Sequence, residues 1–422
     1  MLSIKRILKS NLFENFVSLG IIQGINYILP LITIPFLFNQ LGVEYYGLVN
    51  FSFAFIQYFI ILTDFGFGLS GTRFIAANRG NKNKINRYLN SACLSRIGMA
   101  TLSFLILLGC LWLIPAFNKH KVFTLIFFGQ VIGNCLNPVW FFQGMQKMKF
   151  NTILHITTRL ISILPLFIFV QTPDDYLYIP LCYSIGSITS GLLSLSLIHH
   201  NFNMKFFFTS FKEIKEVTID SSSYFLSRIS VSLYTNTNSF ILGLVCGNTA
   251  VGYYSLAEKI YIALNSIYGP INGTIFPYMT EKRNLSLFKK ILIIGTIGNG
   301  LFIFLFYIIF PNISPYFFKN FATDSWNVLC IFLFANILCL PATFLGYPFL
   351  AAWGHPNFCN YSLLATSLFH IIGLFILYIT NYISIYSVAI MVVLCEGILL
   401  CIRFWGIFKY RLWQQSNNII HK

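Results

Sequence analysis

The feature that most constrains this chain is the repetition of apolar runs of about 20 residues, each long enough to cross a bilayer as a helix and nearly free of charge. Twelve spans are expected: 16–38, 48–71, 91–114, 122–143, 152–171, 177–198, 224–245, 250–276, 291–311, 326–346, 361–380 and 384–404. With 56% hydrophobic and 9% charged residues, the chain lacks the roughly 25% charge of soluble domains. The runs also lack the alternation of a barrel strand, and unpaired backbone groups are costly in hydrocarbon, so the expected fold is an all-α integral membrane protein.

The net charge of +16 would suggest a nucleic-acid partner in a soluble protein, but here the position of the charges carries the information and no nucleic acid is expected. Lys and Arg concentrate at the N-terminus, in the loops Arg73–Arg87, Lys147–Lys149, Lys205–Lys215 and Lys282–Lys290, and in the tail from Arg403. The alternate loops hold only Lys119, Lys121 and Lys319. Both termini are therefore expected on the cytoplasmic side of the membrane. Lys5, Arg6 and Lys9 precede a first run of about 23 residues, read as a retained span rather than a cleaved signal. Ten cysteines without CxxC spacing or nearby histidines indicate neither a metal site nor a disulfide framework.

The longest polar connection, His199–Ser223, sets the expected boundary between an N-terminal lobe, residues 1–210, and a C-terminal lobe, residues 211–422. Tyr45-Tyr46-Gly47-Leu48 after span 1 and Tyr253-Tyr254-Ser255-Leu256 after span 7 form a faint repeat consistent with two pseudo-symmetric six-helix units.

Polar groups inside the spans are the candidate functional residues, because each needs water or a partner there. Arg228, Ser232, Thr235, Asn236 and Ser239 share one face of span 7. Facing lipid, a deep arginine costs about 2.5 kcal/mol or more, whereas an aqueous cavity removes most of that cost. The alternative is a dry helix contact, with Arg228 snorkelling to the interface. Arg159 in span 5 and Lys259 in span 8 extend the candidate cationic path, suited to phosphate oxygens. Gln23 and Asn26, in a span 1 that also holds Gly20, Gly24, Pro30 and Pro35, are expected to line the same central space as Ser232, Thr235, Asn236 and Ser239. Asp64 and Glu396 either couple transport to H+ or Na+ or pair structurally. Arg96, about a turn into span 3, reads as a snorkelling anchor. Pro270 and Pro277 in span 8, and Pro341 and Pro348 in span 10, are expected bends. No nucleotide loop, HExxH or GxSxG occurs, so neither ATP hydrolysis nor a catalytic centre is expected, and no cofactor is implied.

Four segments carry a resemblance: ILPLITIPFLFNQLGVEYYGLVNFS at Ile28–Ser52, LTDFGFGLSGTRFIA at Leu62–Ala76, NPVWFFQGMQKMK at Asn137–Lys149 and VGYYSLAEKI at Val251–Ile260. In combination the sequence resembles the Wzx flippases, translocases of O-antigen and related polysaccharide repeat units. They belong to the superfamily that also holds the multidrug and toxic-compound extruders and the peptidoglycan lipid flippase. The resemblance implies two six-helix lobes with alternating access, and export of an undecaprenyl-pyrophosphate-linked oligosaccharide from the cytoplasmic to the periplasmic leaflet. It also implies membrane lipids, a polysaccharide polymerase and a chain-length regulator as partners, with the membrane potential as a further driving term. Family-pattern positions present here are Asp64, Arg73, Gln143, Lys147, Tyr253, Glu258 and Lys259. The alternatives are an ion-coupled drug extruder, another polysaccharide exporter, or a membrane-bound polymerase or ligase. Buried basic groups disfavour the extruder, and short outer loops disfavour the enzymes.

Overall fold

A computed structural model describes residues 11–319 and 321–414, with the side chains of 11–19, 21, 27–28, 226–235 and 414 outside that description. Its secondary structure is helical throughout the described residues. In chain order the helices are α1 Asn11–Asp64, α2 Phe67–Ala77, α3 Lys82–Leu113, α4 Lys121–Phe127, α5 Gly129–Cys135, α6 Val139–Gly144, α7 Met148–Phe169, α8 Tyr178–Phe202 and α9 Phe211–Val245. They continue as α10 Gly247–Asn265, α11 Tyr268–Lys282, α12 Leu285–Phe317, α13 Thr323–Phe344, α14 Pro356–Ile379 and α15 Ile385–Lys409.

Among the described residues, nine segments are long and apolar enough to cross a membrane. Expected spans 1 and 2 fall in one such segment, Ile22–Ala77. Within α1 the helix is broken at Gly42, where φ of 70° and ψ of 174° suit a residue without a Cβ. Expected spans 7 and 8 are the helices α9 to α11, which are not among the nine. The fold is therefore all-α and multi-pass.

Helix starts follow local chemistry. Asn81 Oδ1 accepts from the Lys84 amide at 3.0 Å before α3, and Asn284 Oδ1 accepts from Leu287 at 2.9 Å before α12. Bends follow the prolines less simply. Span 8 breaks between Asn265 and Tyr268, just ahead of Pro270. Span 10 passes beyond Pro341 into a π-turn, Leu345–Ala351, where Gly346 leaves helical geometry at ψ −112° and Pro348 removes a donor.

The chain divides into two compact units, Met1–Phe240 and Ile241–Lys422, whereas the polar connection in the sequence suggested division at 210/211. Most of α9 therefore belongs with the first unit. The reason is visible at Gly66, with φ of 82°: a Cβ there would lie 2.5 Å from the Ser221 carbonyl oxygen. That close approach lets α9 lie against the α1–α2 turn. The first unit has a core around Phe67, Tyr88, Trp140 and Phe141, and the second one around Phe288, Phe344, Phe349 and Trp353.

Candidate functional site

In the first unit, α1 packs against α7, and their polar positions meet inside apolar surroundings. Asn26 Oδ1 lies 3.0 Å from His155 Nε2 and accepts from Arg159 Nη2 at 3.3 Å. His155 and Arg159 are four residues apart and so lie on one face of α7. With its single amide oxygen shared by two nitrogens, Asn26 holds both side chains at one point. Arg159 is half-buried, and among the described residues no carboxylate pairs with it. A guanidinium carries five N–H donors in a fixed fork, and Asn26 takes one. The rest are suited to water or to phosphate oxygens, which accept paired charge-assisted bonds. Gln23, one turn before Asn26, is exposed.

The other expected site residues are distributed as follows. The side chains of Arg228, Ser232 and Thr235 lie outside the described residues, though their backbone is helical within α9. Asn236 is half-buried and Ser239 is buried. Between them, Thr237 Oγ1 lies 3.0 Å from the Tyr58 hydroxyl, and Phe240 stacks on Phe55 with centroids 5.3 Å apart. This end of α9 is thus packed along α1. Asp64 is half-buried at the end of α1 in the first unit; Lys259 and Glu396 are in the second, on α10 and α15, half-buried and buried respectively.

Two arginines depart from their expected positions. Arg96 does not snorkel: it is 1% exposed, and its Nη2 donates to the Asn134 carbonyl at 2.7 Å and to Asn134 Oδ1 at 3.2 Å. The small Gly133 and Gly191 bring α5 close to α8 and leave Asn134 turned toward α3. Arg403, grouped by sequence with the cytoplasmic tail, is buried in α15. It donates to the Ser362 hydroxyl at 3.2 Å and to the Ala342 carbonyl. Ala342 lies just ahead of the π-turn, in the last turn of α13.

Sequence reading missed His155, whose signal was its four-residue spacing from Arg159. It also missed a buried network in the second unit. The Tyr268 hydroxyl lies 2.8 Å from Asn299 Oδ1 and 2.6 Å from Asn336 Oδ1, with one proton for either acceptor, while Asn336 Nδ2 donates to Asn265 Oδ1 at 2.7 Å. Beside it lies a cavity of about 450 Å³ lined by Ile267, Ile271, Ile294, Gly298 and Phe302. Its lining is almost wholly apolar and offers a sugar or phosphate little to bind. Among the described residues no cluster of His, Cys, Asp and Glu suits a metal ion.

Comparison with known proteins adds to this geometry. The polysaccharide biosynthesis protein family matches residues 12–283. A putative O-antigen transporter of Escherichia coli K12 is 32% identical over 287 residues, 68% of this chain and 69% of that protein. One from Shigella dysenteriae is 26% identical, covering 66% of this chain and 70% of that protein. Among solved structures, the lipid II flippase MurJ in an inward closed conformation aligns with a TM-score of 0.69 at 12% identity, covering 95% of this chain and 89% of that one. An inward-facing multidrug resistance MATE family transporter of the MOP superfamily aligns at 0.64 and 13% identity, covering 95% and 99%. These likenesses show that the chain shares the fold of those two proteins.

Proposed function

The chain belongs to the polysaccharide biosynthesis protein family, and from that premise we propose that it moves an undecaprenyl-pyrophosphate-linked oligosaccharide from the cytoplasmic to the periplasmic leaflet. Family and fold together make it a membrane transporter, not an enzyme. The O-antigen transporters among its relatives support a glycan repeat unit as the cargo.

The observation that carries the reading is the Arg159–Asn26–His155 cluster on membrane-embedded helices. Unaided flipping strips the glycan hydroxyls of water, at a cost of order several kcal/mol for each group left unpaired. A hydrated path avoids this, and a cation fixed beside it meets the pyrophosphate. Arg159 is held through one nitrogen, so its remaining donors are available to phosphate without first breaking an ion pair. The grip must also release. An amide partner suits this, because Asn26 can keep the guanidinium when the phosphate departs and attracts it less strongly than a carboxylate does. Gln23 is positioned one turn away for sugar hydroxyls or water. Arg228 and Lys259 are further phosphate contacts in this proposal, Asp64 and Glu396 are the candidate H+ or Na+ coupling groups, and Ser232, Thr235, Asn236 and Ser239 are the polar face of α9 that the head group passes.

The second reading is a drug extruder on the same architecture. A site for cationic drugs needs carboxylates, so the half-buried Arg159, without a carboxylate partner among the described residues, favours an anionic head group. The test is reconstitution in sealed vesicles with a fluorescent undecaprenyl-pyrophosphate saccharide and measurement of its accessibility from each side. Translocation of that lipid, together with no uptake of lipophilic cations, supports the proposal. Cation uptake with a stationary lipid overturns it.

A further inference from the structure

The connection ahead of α9 and the first turns of α9 are fastened to α2 and α3 at many points. Asn90 Nδ2 donates to the Lys205 carbonyl at 2.9 Å, and its Oδ1 accepts from the Phe207 amide at 3.0 Å. Ser91 bonds Thr209 at 3.0 Å, and Ser95 bonds Thr218 at 2.7 Å. Arg73 closes a two-pronged pair on Asp220 at 2.8 and 3.0 Å, and Ser70 meets Ser221 at 2.7 Å. These bonds fix which side of residues 205–221 faces inward. The inner side holds Thr209, Ile214, Val217, Thr218 and Ser221.

The outer side is unusual for a connection that merely faces water. Phe208 is 90% exposed, Phe211 80% and Ile219 60%, with Phe206 and Phe207 also exposed. Interleaved with them are Lys205, Lys212 and Lys215, all exposed. Within the segment, Asp220 is paired with Arg73, and Glu213 is turned to the Ser210 hydroxyl at 3.1 Å and to Arg87 at 3.7 Å. Glu216 is the remaining carboxylate there. Among the described residues none of the three lysines has a carboxylate at ion-pair distance. Outward aromatics alternating with unpaired basic residues are complementary to one surface in particular: the boundary where acyl chains meet anionic head groups.

We propose that the outer face of residues 205–219 is an interfacial anchor for anionic phospholipids, with Phe208, Phe211 and Ile219 entering the acyl boundary and Lys205, Lys212 and Lys215 meeting the head-group phosphates. Because the same segment includes the first turns of α9, the anchor pins the start of that helix at the membrane surface. It rests on exposure and charge at this connection and stands apart from the substrate reading above.

The full chain, carrying a benzophenone analogue of phenylalanine in place of Phe208, is placed in mixed vesicles of phosphatidylcholine and phosphatidylglycerol, irradiated, and its adducts weighed by mass spectrometry. The same probe in place of Trp112, 80% exposed on α3, reports bulk lipid. The expected result is a phosphatidylglycerol adduct at position 208 enriched about threefold or more over its mole share, with no enrichment at 112. Lys205→Gln/Lys212→Gln/Lys215→Gln should return the 208 adducts to the mole share without abolishing them. Absence of lipid adducts at 208, as expected of a face kept for a protein partner, overturns the proposal. So does labelling at the mole share that the lysine changes leave unaltered.

Discussion

Asn26 and Arg159 are joined by a 3.3 Å bond from the guanidinium to an amide oxygen, the same oxygen that lies 3.0 Å from His155 Nε2. An amide fixes the arginine without neutralising it, and that distinction gives the first prediction. Asn26→Asp retains the shape but places a carboxylate against the cation, in competition with phosphate. Translocation in vesicles is expected to fall about tenfold or more, equivalent to about 1.4 kcal/mol, while Asn26→Gln falls less. Equal activity of Asn26→Asp and the unaltered protein would show that the charge of Arg159 is not used.

The Arg73–Asp220 pair holds the start of α9 to α2, with both side chains substantially exposed. Reversal of either charge alone is expected to lower the midpoint of thermal unfolding in detergent. The double reversal Arg73→Asp/Asp220→Arg should recover most of the loss, and the difference should shrink in high salt.

The Tyr268 hydroxyl lies within hydrogen-bond distance of two asparagine oxygens in the second unit. Tyr268→Phe keeps the ring and removes the donor, leaving buried acceptors short of a partner, so it should destabilise by about 1–3 kcal/mol. Chemical unfolding of the variant beside the unaltered protein measures this, and an unchanged midpoint would mean that the network relaxes around the loss.

His355 lies in the connection before α14 and stacks on Tyr410, with ring centroids 3.7 Å apart. Burial lowers its pKa from the ordinary value near 6.5, because the charged form loses water there. The contribution to stability is therefore full above about pH 6.5 and is lost as pH falls through the lowered folded-state value. Thermal unfolding from pH 8 to pH 5 should show a decline that His355→Phe reduces.

The all-α, multi-pass fold was legible because apolar length is a direct consequence of bilayer thickness. Family membership was legible in segments such as that at Ile28–Ser52, which lies within the matched range. Arg159 and Asn26 were each legible as polar groups in apolar runs, but their meeting was not, since it depends on how α1 and α7 pack. His155 was masked for a related reason: one histidine in an apolar run gives no sign of its neighbour. Arg96 and Arg403 were misplaced because depth along a span does not reveal which carbonyl a neighbouring helix presents. For Arg403 that carbonyl belongs to Ala342, near the end of α13. The attachment of α9 to the first unit escaped a reading by polarity, since Asn90, Ser91 and Ser95 look like ordinary helix residues until they bond residues 205–218.

The central claim is that the Arg159 cation serves the passing pyrophosphate, and the most direct measurement is the initial rate of lipid-linked saccharide translocation by Arg159→Ala in sealed vesicles. Folding is checked in parallel by unfolding midpoint. The account predicts a rate lower by about tenfold or more, with partial recovery in Arg159→Lys, which restores charge without the fork. A well-folded Arg159→Ala that translocates at the unaltered rate would contradict it.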